Sequence, residues 1–270
     1  AGSTFVFGDI GKQGGPFALA FQALPIVIYF SAVMAALYHL GIMQVAVYCL
    51  GRALGKGLGV SGAEAMSVVA DIFVGMTEAP LVVRPYIEKM TLSELMALVT
   101  GGLATIAGTV LGVYMLFVGP GYASYLIAAS FMAAPASFVV AKMILPETEE
   151  PLTGQSINLV IEKPGTNLLD SIAMGVRDGL KLALNIGAML IAFYSLIALV
   201  NWPLEAWFQT SLQRVLGLGL SPFAWCLGVE WKDAPTFGGL LGTKIISNEF
   251  IAYRDLQGLI RESALSDHSI

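Results

Sequence analysis

Hydrophobic residues fill three long stretches of the chain, 13–51, 95–141 and 182–204, and none of them contains an aspartate, glutamate, lysine or arginine. Each stretch is at least as long as the about 20 apolar residues that an α-helix needs to cross a bilayer. Charged residues are concentrated between the stretches, where several follow helical spacing among apolar residues. This pattern predicts an all-α polytopic membrane protein with transmembrane helices and interfacial amphipathic helices.

The composition agrees with a membrane location and excludes other classes of protein. Hydrophobic residues make up 56% of the 270 residues and charged residues 12%, and the mean hydropathy is +0.76, which a soluble core of this length does not require. The net charge of -5 comes without a basic tract, so we expect no nucleic-acid partner. Cys49 and Cys226 lie far apart in apolar surroundings and are interpreted as packing residues, not as a disulfide or metal site.

The N-terminal region, residues 1–60, is predicted to hold one crossing and one interfacial helix. The phrase FALAFQALPIVIYFSAVMAALYHLGI is long enough to cross the membrane, and Pro25 is expected to kink it near its start. Arg52 and Lys56 then lie four residues apart among apolar residues, which is typical of a helix in the plane of the interface. His39 stands alone in the crossing and is interpreted as a packing residue.

Two short apolar segments then flank a polar turn. Ser61 and Glu64 form a capping-box pattern that begins a helix, and Gly75 ends that helix before it is long enough to cross. The second segment, PLVVRPYIEKM, is also too short. Two such segments joined by the phrase GMTEAP predict a re-entrant hairpin, which a bilayer tolerates only where protein or water meets the exposed backbone groups.

Residues 61–146 are predicted to form one half of the helical core, with the hairpin and two crossings. A second capping box, at Thr91 and Glu94, begins its next helix. The apolar run that follows is divided by a Gly-Pro-Gly phrase at 119–121 into two crossings. A polar connection at 147–166, rich in acids and turn formers, ends this half.

The second half, residues 167–270, repeats the order of an amphipathic helix, an apolar segment and a carboxylate within a polar phrase. An amphipathic segment leads into one crossing that ends near Trp202. The aromatic residues 204–231 are interpreted as interfacial or partly re-entrant. A helical pattern that contains Lys244, Glu249 and Arg254 follows.

Glu78 and Glu249 require an explanation because each is a carboxylate within an apolar region. Placing an ionised acid at the centre of a membrane helix costs roughly 2.5 to 3.5 kcal/mol on insertion scales, so such groups usually face a partner or a wet cavity. Both are therefore candidates for a binding site. The alternative is charge neutralisation, with Glu78 paired to Arg84, and Glu249 paired to Lys244 or Arg254.

Four long sequence segments resemble those of a known family. FQALPIVIYFSA, SGAEAMSVVADIFVGMTEAPLVVRPYI, MTLSELMALVTGGLATIAGTVLG and LLGTKIISNEFIAY resemble the concentrative nucleoside transporters, in the same order and over nearly the whole chain. The resemblance implies an inverted-repeat, elevator-type symporter in a cell membrane. Two opposed re-entrant hairpins and two interrupted helices, one of them at the Asn-Glu-Phe motif, build its nucleoside site. The resemblance also implies a homotrimer, a nucleoside substrate, no enzymatic activity and no cofactor besides a coupling ion.

The resemblance also implies which residues contact the nucleoside. Thr77 and Glu78, in the hairpin turn, correspond to residues that hydrogen-bond the base, and Val110 corresponds to an apolar wall beside it. Glu249 corresponds to a glutamate that holds ribose hydroxyls, which suits a carboxylate facing a vicinal diol. Met76 stands where the family usually has glutamine. Because a thioether is a poor hydrogen-bonding group, we expect weaker recognition of the base edge and a wider tolerance, with purines included.

A cation site is implied in the same way. Main-chain carbonyls of Val74 and Ile106 and the hydroxyl of Thr105 correspond to family ligands, and Asp71 stands where the family usually has asparagine. Oxygen ligands of this kind suit a hard cation such as sodium. Since burial of a carboxylate favours its protonated form, proton coupling is the alternative.

The resemblance further implies that the chain is truncated at both ends. Family members have further spans before Ala1, and a second hairpin with the rest of the ribose site is expected beyond Tyr253. We therefore expect that residues 1–270 alone do not transport. A channel or a nucleoside-sensing receptor on the same framework is a second reading of the function, and a membrane enzyme is disfavoured because no nucleophile or matched base accompanies the two acids.

Overall fold

The computed structural model describes residues 2–11, 19–76, 79–153, 165–266 and 268–270. The regular structure in these ranges is helical, with 3-10 turns at Gly8–Gly11 and Pro120–Tyr122. The α-helices are α1 Gly2–Phe7, α2 Leu19–Gln22, α3 Leu24–His39, α4 Ile42–Leu58, α5 Gly62–Val74, α6 Ala79–Val82, α7 Arg84–Ile87, α8 Leu92–Ala104, α9 Gly108–Val118, α10 Ala123–Ile144, α11 Leu168–Phe208, α12 Leu212–Cys226, α13 Ala234–Ile246 and α14 Glu249–Arg261.

The chain forms two compact units. The first contains Ala1–Val113 and Tyr122–Ala183, and the second contains Tyr114–Gly121 and Leu184–Ile270. The boundaries fall inside α9 and α11, so each of these helices contributes to both units. The division into regions 1–60, 61–146, 147–166 and 167–270 rests on the sequence pattern and stays a prediction.

Within the described residues, four helical segments are long and apolar enough to cross a membrane. This agrees with the predicted polytopic architecture, including the crossing that follows Phe17 and the two crossings on either side of the Gly-Pro-Gly phrase. The segments are Ala20–His39, Leu92–Val118, Pro120–Ile144 and Leu168–Phe208.

The longest of these segments is one continuous helix, whereas the sequence pattern suggests an amphipathic helix followed by a crossing. Helix α11 runs unbroken over 41 residues, about twice the length that a bilayer requires. In the first unit it packs closely on α3, since a Cβ at Gly175 would lie 2.6 Å from the Cβ of Ala35. The Nδ1 of His39 lies 2.8 Å from the buried Oγ of Ser171 on α11, which agrees with a packing role for this histidine.

Helix α4 is amphipathic, as the sequence predicts. Its buried residues recur every four positions and form a single stripe against α5, where a Cβ at Gly51 would lie 2.5 Å from the Sδ of Met66. The remaining faces are largely exposed. The buried residues of the stripe are Met43, Val47, Gly51 and Gly55.

Both predicted capping boxes are present, at the start of α5 and at the start of α8. Ser61 and Thr91 each accept a hydrogen bond from the main-chain N–H of the glutamate three residues later, and each glutamate accepts one from the N–H of the capping residue. The two boxes are joined, because the Ser61 hydroxyl donates to Glu94 Oε1 over 2.5 Å. The starts of α5 and α8 are therefore fixed to each other.

A lysine from α10 neutralises part of this buried charge. Lys142 Nζ lies 2.7 Å from Glu64 Oε2 and 3.7 Å from Glu147 Oε2, and it donates to Ser93 Oγ over 2.9 Å. Glu64 and Glu94 are each only 1% exposed. Because an uncompensated buried carboxylate is costly, these contacts hold α5, α8 and α10 in one arrangement.

Helix α5 and the short helix α6 pack against each other and form what we call the first hairpin, residues 62–82. Helix α5 is buried over almost its whole length, and its last turn gives way to Gly75, which has a φ of 91° that favours glycine. The N–H of Ala79 donates to the carbonyl of Gly75 over 3.0 Å and closes the turn. This is the re-entrant hairpin that the sequence predicts.

The crossing formed by α8 and α9 is interrupted. Helix α8 ends at Ala104 and α9 begins at Gly108, and the three residues between them are not helical. The apolar run itself gives no sign of this break, although the family resemblance implies interrupted helices. The break lies beside the end of α5, since a Cβ at Gly108 would lie 2.8 Å from the carbonyl oxygen of Phe73.

In the second unit, α12 and α13 pack at glycines. A Cβ at Gly217 would lie 2.3 Å from the carbonyl oxygen of Pro235, and one at Gly238 would lie 2.7 Å from the carbonyl oxygen of Gly217. A small apolar core of Ala224, Val229 and Ala234 closes the turn between the two helices. The backbones approach this closely because no side chain separates them.

A short break separates α13 from α14, which agrees with the interrupted helix that the resemblance implies here. Ser247 and Asn248 lie between the two helices, which contact each other. The side chain of Asn248 accepts a hydrogen bond from the N–H of Ile251 over 3.1 Å and caps α14. The second hairpin, which the resemblance places beyond Tyr253, stays a prediction.

Candidate functional site

The turn of the first hairpin lies against the region where α8 ends and α9 begins. A Cβ at Gly75 would lie 2.8 Å from the Cβ of Ala107, and one at Gly102 would lie 2.7 Å from the Cβ of Met76. The side chain of Met76 is 55% exposed. The next two residues of the turn, Thr77 and Glu78, lie outside the described residues, so their predicted roles and the proposed Glu78–Arg84 pair remain predictions.

Asp71 is the most unusual polar residue of the first unit. It is only 1% exposed, and its Oδ1 has no hydrogen-bond partner within the described residues. Two glycines of α8 make room for it, because Cβ atoms at Gly101 and Gly102 would lie 3.3 Å from Oδ2 and 3.7 Å from Oδ1. A carboxylate oxygen without a donor does not behave as a helix cap. It can accept a cation or a proton.

The residues predicted to complete the cation site lie at two helix ends. Val74 is the last residue of α5, and Thr105 and Ile106 follow the last residue of α8. Thr105 is buried, and its hydroxyl donates to the carbonyl of Gly101 over 2.9 Å. The C-terminal ends of helices carry partial negative charge and unpaired carbonyl groups. Two such ends beside a buried carboxylate form an environment that favours a positive charge.

This environment differs from a transition-metal site. Among the described residues, no three histidine, cysteine, aspartate or glutamate side chains are grouped so that they could hold a metal ion. The other ligands that the resemblance implies for this site are the main-chain carbonyls of Val74 and Ile106 and the hydroxyl of Thr105. Such ligands suit a hard monovalent or divalent cation better than zinc or copper.

Val110 lies in the first turn of α9, and its side chain is 8% exposed. Its N–H donates to the carbonyl of Ala107 over 3.0 Å, so its position follows from the break between α8 and α9. An apolar side chain at this point can border a ligand. Its contact with a base remains a prediction.

Glu249 is the first residue of α14, directly after the capping residue Asn248. Its Oε1 accepts a hydrogen bond from the hydroxyl of Tyr114 over 2.5 Å. The side chain is half-buried. No hydrogen bond joins Oε2 to any other described residue, so this oxygen is available to a ligand.

The neutralisation that the sequence offered as an alternative for Glu249 is not seen. In the part of the chain that the structure describes, neither Lys244 nor Arg254 forms an ion pair with it. Lys244 is exposed, and the guanidinium of Arg254 lies 5.3 Å from the ring centroid of Tyr194. The hydroxyl of Tyr114 is the neighbour of the carboxylate, and the sequence does not point to it, since a single tyrosine in a charge-free run resembles a packing residue.

Two family models cover most of the chain. Residues 125–270 match the model described as "Na+ dependent nucleoside transporter C-terminus", and residues 20–121 match the model described as "Nucleoside recognition". An uncharacterised transporter of Haemophilus influenzae is 48% identical over 261 residues, which are 93% of this chain and 62% of that protein. Sodium/nucleoside cotransporter 2 of Mus musculus is 41% identical over 94% of this chain and 39% of its own length.

Solved structures agree with these matches. The transporter CNTnw in an inward-facing, substrate-bound state has a TM-score of 0.92 and 43% identity, over 99% of this chain and 67% of that one. An outward-facing state of a CNTnw variant has a TM-score of 0.90. The fold is therefore that of an elevator-type membrane transporter and not that of an enzyme.

The chain belongs to the Na+-dependent nucleoside transporter family. This confirms the family, the helical membrane fold and the membrane location that the sequence predicts. The chain spans 62% of the length of the Haemophilus relative and 39% of the length of the mouse relative.

Proposed function

We propose that this protein takes up nucleosides across a cell membrane by cation-coupled symport. The observation that carries the proposal is the half-buried carboxylate of Glu249, which lies at the break between α13 and α14. It has no cationic partner within the described residues and keeps one oxygen unbonded there. A carboxylate accepts hydrogen bonds only, so it matches two adjacent hydroxyl groups. Ribose hydroxyls of a nucleoside meet this requirement.

Recognition of the base is assigned to the first hairpin and its neighbour. Thr77 and Glu78 hydrogen-bond the base, and Val110 provides an apolar surface beside it. Met76 is exposed at the turn and offers the base a polarizable thioether in place of an amide. This favours tolerance of more than one base over strict recognition of a single edge.

The coupling ion is assigned to Asp71, Thr105 and the carbonyls of Val74 and Ile106, and sodium is the ion that we favour. The support is the buried, unpartnered Oδ1 of Asp71 beside two helix ends whose carbonyls favour a cation. The named relatives include a sodium/nucleoside cotransporter. A proton on Asp71 is the competing coupling ion, because a buried carboxylate is neutralised by either species.

The transport cycle is proposed to be of the elevator type, in a homotrimer embedded in the lipid bilayer. The support is the similarity to CNTnw, which is solved in inward-facing and outward-facing states. In such a cycle the binding residues move as a body relative to a fixed scaffold. No cofactor is needed besides the coupling ion.

Counterflow in proteoliposomes tests the proposal. The full-length natural protein is reconstituted, and exchange of each labelled nucleoside is measured while sodium and pH gradients are varied independently. We expect saturable exchange that a sodium gradient accelerates. Currents or ligand binding without accumulation would indicate a channel or a receptor, and accumulation that follows only the pH gradient would replace sodium with the proton.

A further inference from the structure

We propose that Tyr114 is a positioning residue for substrate binding, which fixes the Glu249 carboxylate in the orientation that accepts the ribose hydroxyls. The inference rests on the proposed function, since it gives Glu249 a substrate to bind. Both residues belong to the second unit. Tyr114 is contributed by α9, and Glu249 is the first residue of α14.

The contact between the two side chains is direct and buried. The Tyr114 hydroxyl donates to Glu249 Oε1 over 2.5 Å, and Tyr114 is 0% exposed. A hydrogen bond to a charged acceptor is stronger than one between neutral groups, and more is lost when water cannot replace the donor. The carboxylate is therefore held by its tyrosine and not by bulk water.

The tyrosine is itself held on two sides by α14. Its ring stacks on Tyr253 with a centroid distance of 4.3 Å and an interplanar angle of 12°. The ring of Phe250 meets it edge-on at 5.1 Å and 68°. Since residues 249 and 253 share one face of the helix, the same helix face supplies both the carboxylate and the surface that orients its donor.

The two oxygens of the Glu249 carboxylate therefore have different roles. Oε1 is occupied by the tyrosine, whereas Oε2 has no partner among the described residues and is left for a ligand. An ionised carboxylate has about four acceptor sites, so one tyrosine hydroxyl leaves enough of them for two substrate hydroxyls. A carboxylate that is already ordered loses less conformational freedom on binding, which is the general benefit of preorganisation.

A structural role alone is the competing explanation, because the same hydrogen bond also ties α9 to α14. The two explanations differ in their effect on substrate selectivity. A tie between helices lowers transport of every nucleoside alike. A positioning residue lowers the affinity for ribonucleosides more than the affinity for analogues that lack a ribose hydroxyl, since these analogues gain less from an ordered carboxylate.

The test replaces Tyr114 with phenylalanine in the full-length protein, with Tyr194→Phe as the matched control. Tyr194 also lies in the second unit, and phenylalanine keeps the ring that faces Arg254. For Tyr114→Phe we expect the KM of uridine and adenosine to rise about tenfold. The KM of their 2′-deoxy and 3′-deoxy analogues is expected to rise less than about threefold, and kcat is expected to change little. The control is expected to leave every KM unchanged.

A double-mutant cycle with Glu249→Gln completes the test. If the tyrosine acts through the carboxylate, Tyr114→Phe has little further effect on ribonucleoside KM in the Glu249→Gln background. An equal loss for ribo and deoxy substrates, or full additivity in the cycle, overturns the inference. Wild-type protein that neither binds nor exchanges nucleosides overturns the proposed function instead.

A second variant keeps the inference testable if Tyr114→Phe does not fold. Fluorotyrosine at position 114 retains the ring and its stacking but makes the hydroxyl a more acidic donor. We expect the ratio of ribonucleoside to deoxynucleoside affinity to change with this substitution. An unchanged ratio in a folded protein contradicts the positioning role.

Discussion

The first hairpin and the break between α13 and α14 hold their carboxylates in opposite ways. In the first hairpin, Asp71 lies within the buried helix α5 and its Oδ1 has no donor among the described residues. At the break, Glu249 is the first residue of α14 and one of its oxygens is bonded to a tyrosine. The first arrangement suits a small ion that brings its charge into the protein. The second suits a larger polar ligand that meets an oriented group.

The starts of α5 and α13 differ as well. Helix α5 begins with a capping box that is linked to a second capping box and a lysine. Asp233 directly precedes α13, and its side chain does not cap the helix but accepts hydrogen bonds from the N–H and hydroxyl of Ser266. Two helices of equal length are thus anchored by different contacts.

Replacement of Asp71 is expected to have the largest effect on transport. Asp71→Ala removes the carboxylate that is assigned to the proposed ion, and we expect sodium-driven accumulation to fall at least about a hundredfold, which corresponds to about 2.8 kcal/mol. Asp71→Asn, the matched control, keeps an oxygen ligand and removes the charge, so a smaller loss is expected. Uptake in proteoliposomes with an imposed sodium gradient measures both.

The same pair of variants separates sodium from proton coupling. If the proton is the coupling ion, Asp71→Asn abolishes accumulation as completely as Asp71→Ala, because an amide does not carry a proton between the two sides. If sodium is the coupling ion, Asp71→Asn retains sodium dependence. Accumulation that survives in Asp71→Ala would remove this residue from the coupling site altogether.

Replacement of Glu249 is expected to have the next largest effect. Glu249→Gln keeps the size of the side chain, but it replaces one acceptor oxygen with a donor. We expect the KM of ribonucleosides to rise roughly tenfold to a hundredfold, in line with the loss of a charged hydrogen bond, while sodium dependence stays intact. Arg254→Gln serves as the control, because Arg254 contacts Tyr194 and not Glu249.

An unchanged KM in Glu249→Gln would contradict the assignment of this residue to the ribose. A loss of sodium dependence in the same variant would contradict the separation of roles between the first hairpin and α14. The two measurements therefore test different parts of the comparison with one protein preparation.

Most of the fold could be predicted from the sequence because its signals are local. The capping boxes at Ser61 and Thr91, the turn at Gly75 and the Gly-Pro-Gly phrase at 119–121 each depend on a few neighbouring residues, and the structure has all of them. The break between α8 and α9 depends on tertiary contacts instead. The glycine at 108 lets the end of α5 approach closely, and hydrophobicity alone does not reveal this.

The candidate site was predicted less completely, for the same reason. Glu249 stands out in the sequence because it is a carboxylate within an apolar region, whereas Asp71 is identified only through the family resemblance. The partner of Glu249 does not stand out, since Tyr114 lies 135 positions away and resembles the apolar residues around it.

Replacement of Met76 tests whether the turn of the first hairpin contributes to base selectivity. Met76 is exposed, and a glutamine there restores an amide that both donates and accepts. We expect Met76→Gln to change the relative kcat/KM of purine and pyrimidine nucleosides by roughly threefold to tenfold, the usual range for one modest hydrogen bond. Met76→Leu, which restores no polar group, is the control. Equal transport of every base by the glutamine variant would refute a role for Met76 in base selectivity.

The smallest expected effect concerns the hydrogen bonds that Asp233 accepts directly before α13. Hydrogen bonds from the hydroxyls of Ser266 and Ser269 and from the Ser266 N–H lower the pKa of Asp233 to about 2, below the usual value of an aspartate near 3.9. A folded-state pKa below the unfolded value means that the contact stabilises fully above pH 4 and is lost as the pH falls through 2. Asp233→Asn is expected to accelerate hydrogen exchange at the Ser266 amide at neutral pH, with Ser61→Ala at the start of α5 leaving that amide unaffected. Protection of the Ser266 amide that does not change between pH 5 and pH 2 in the wild-type protein would show that the carboxylate does not hold this segment.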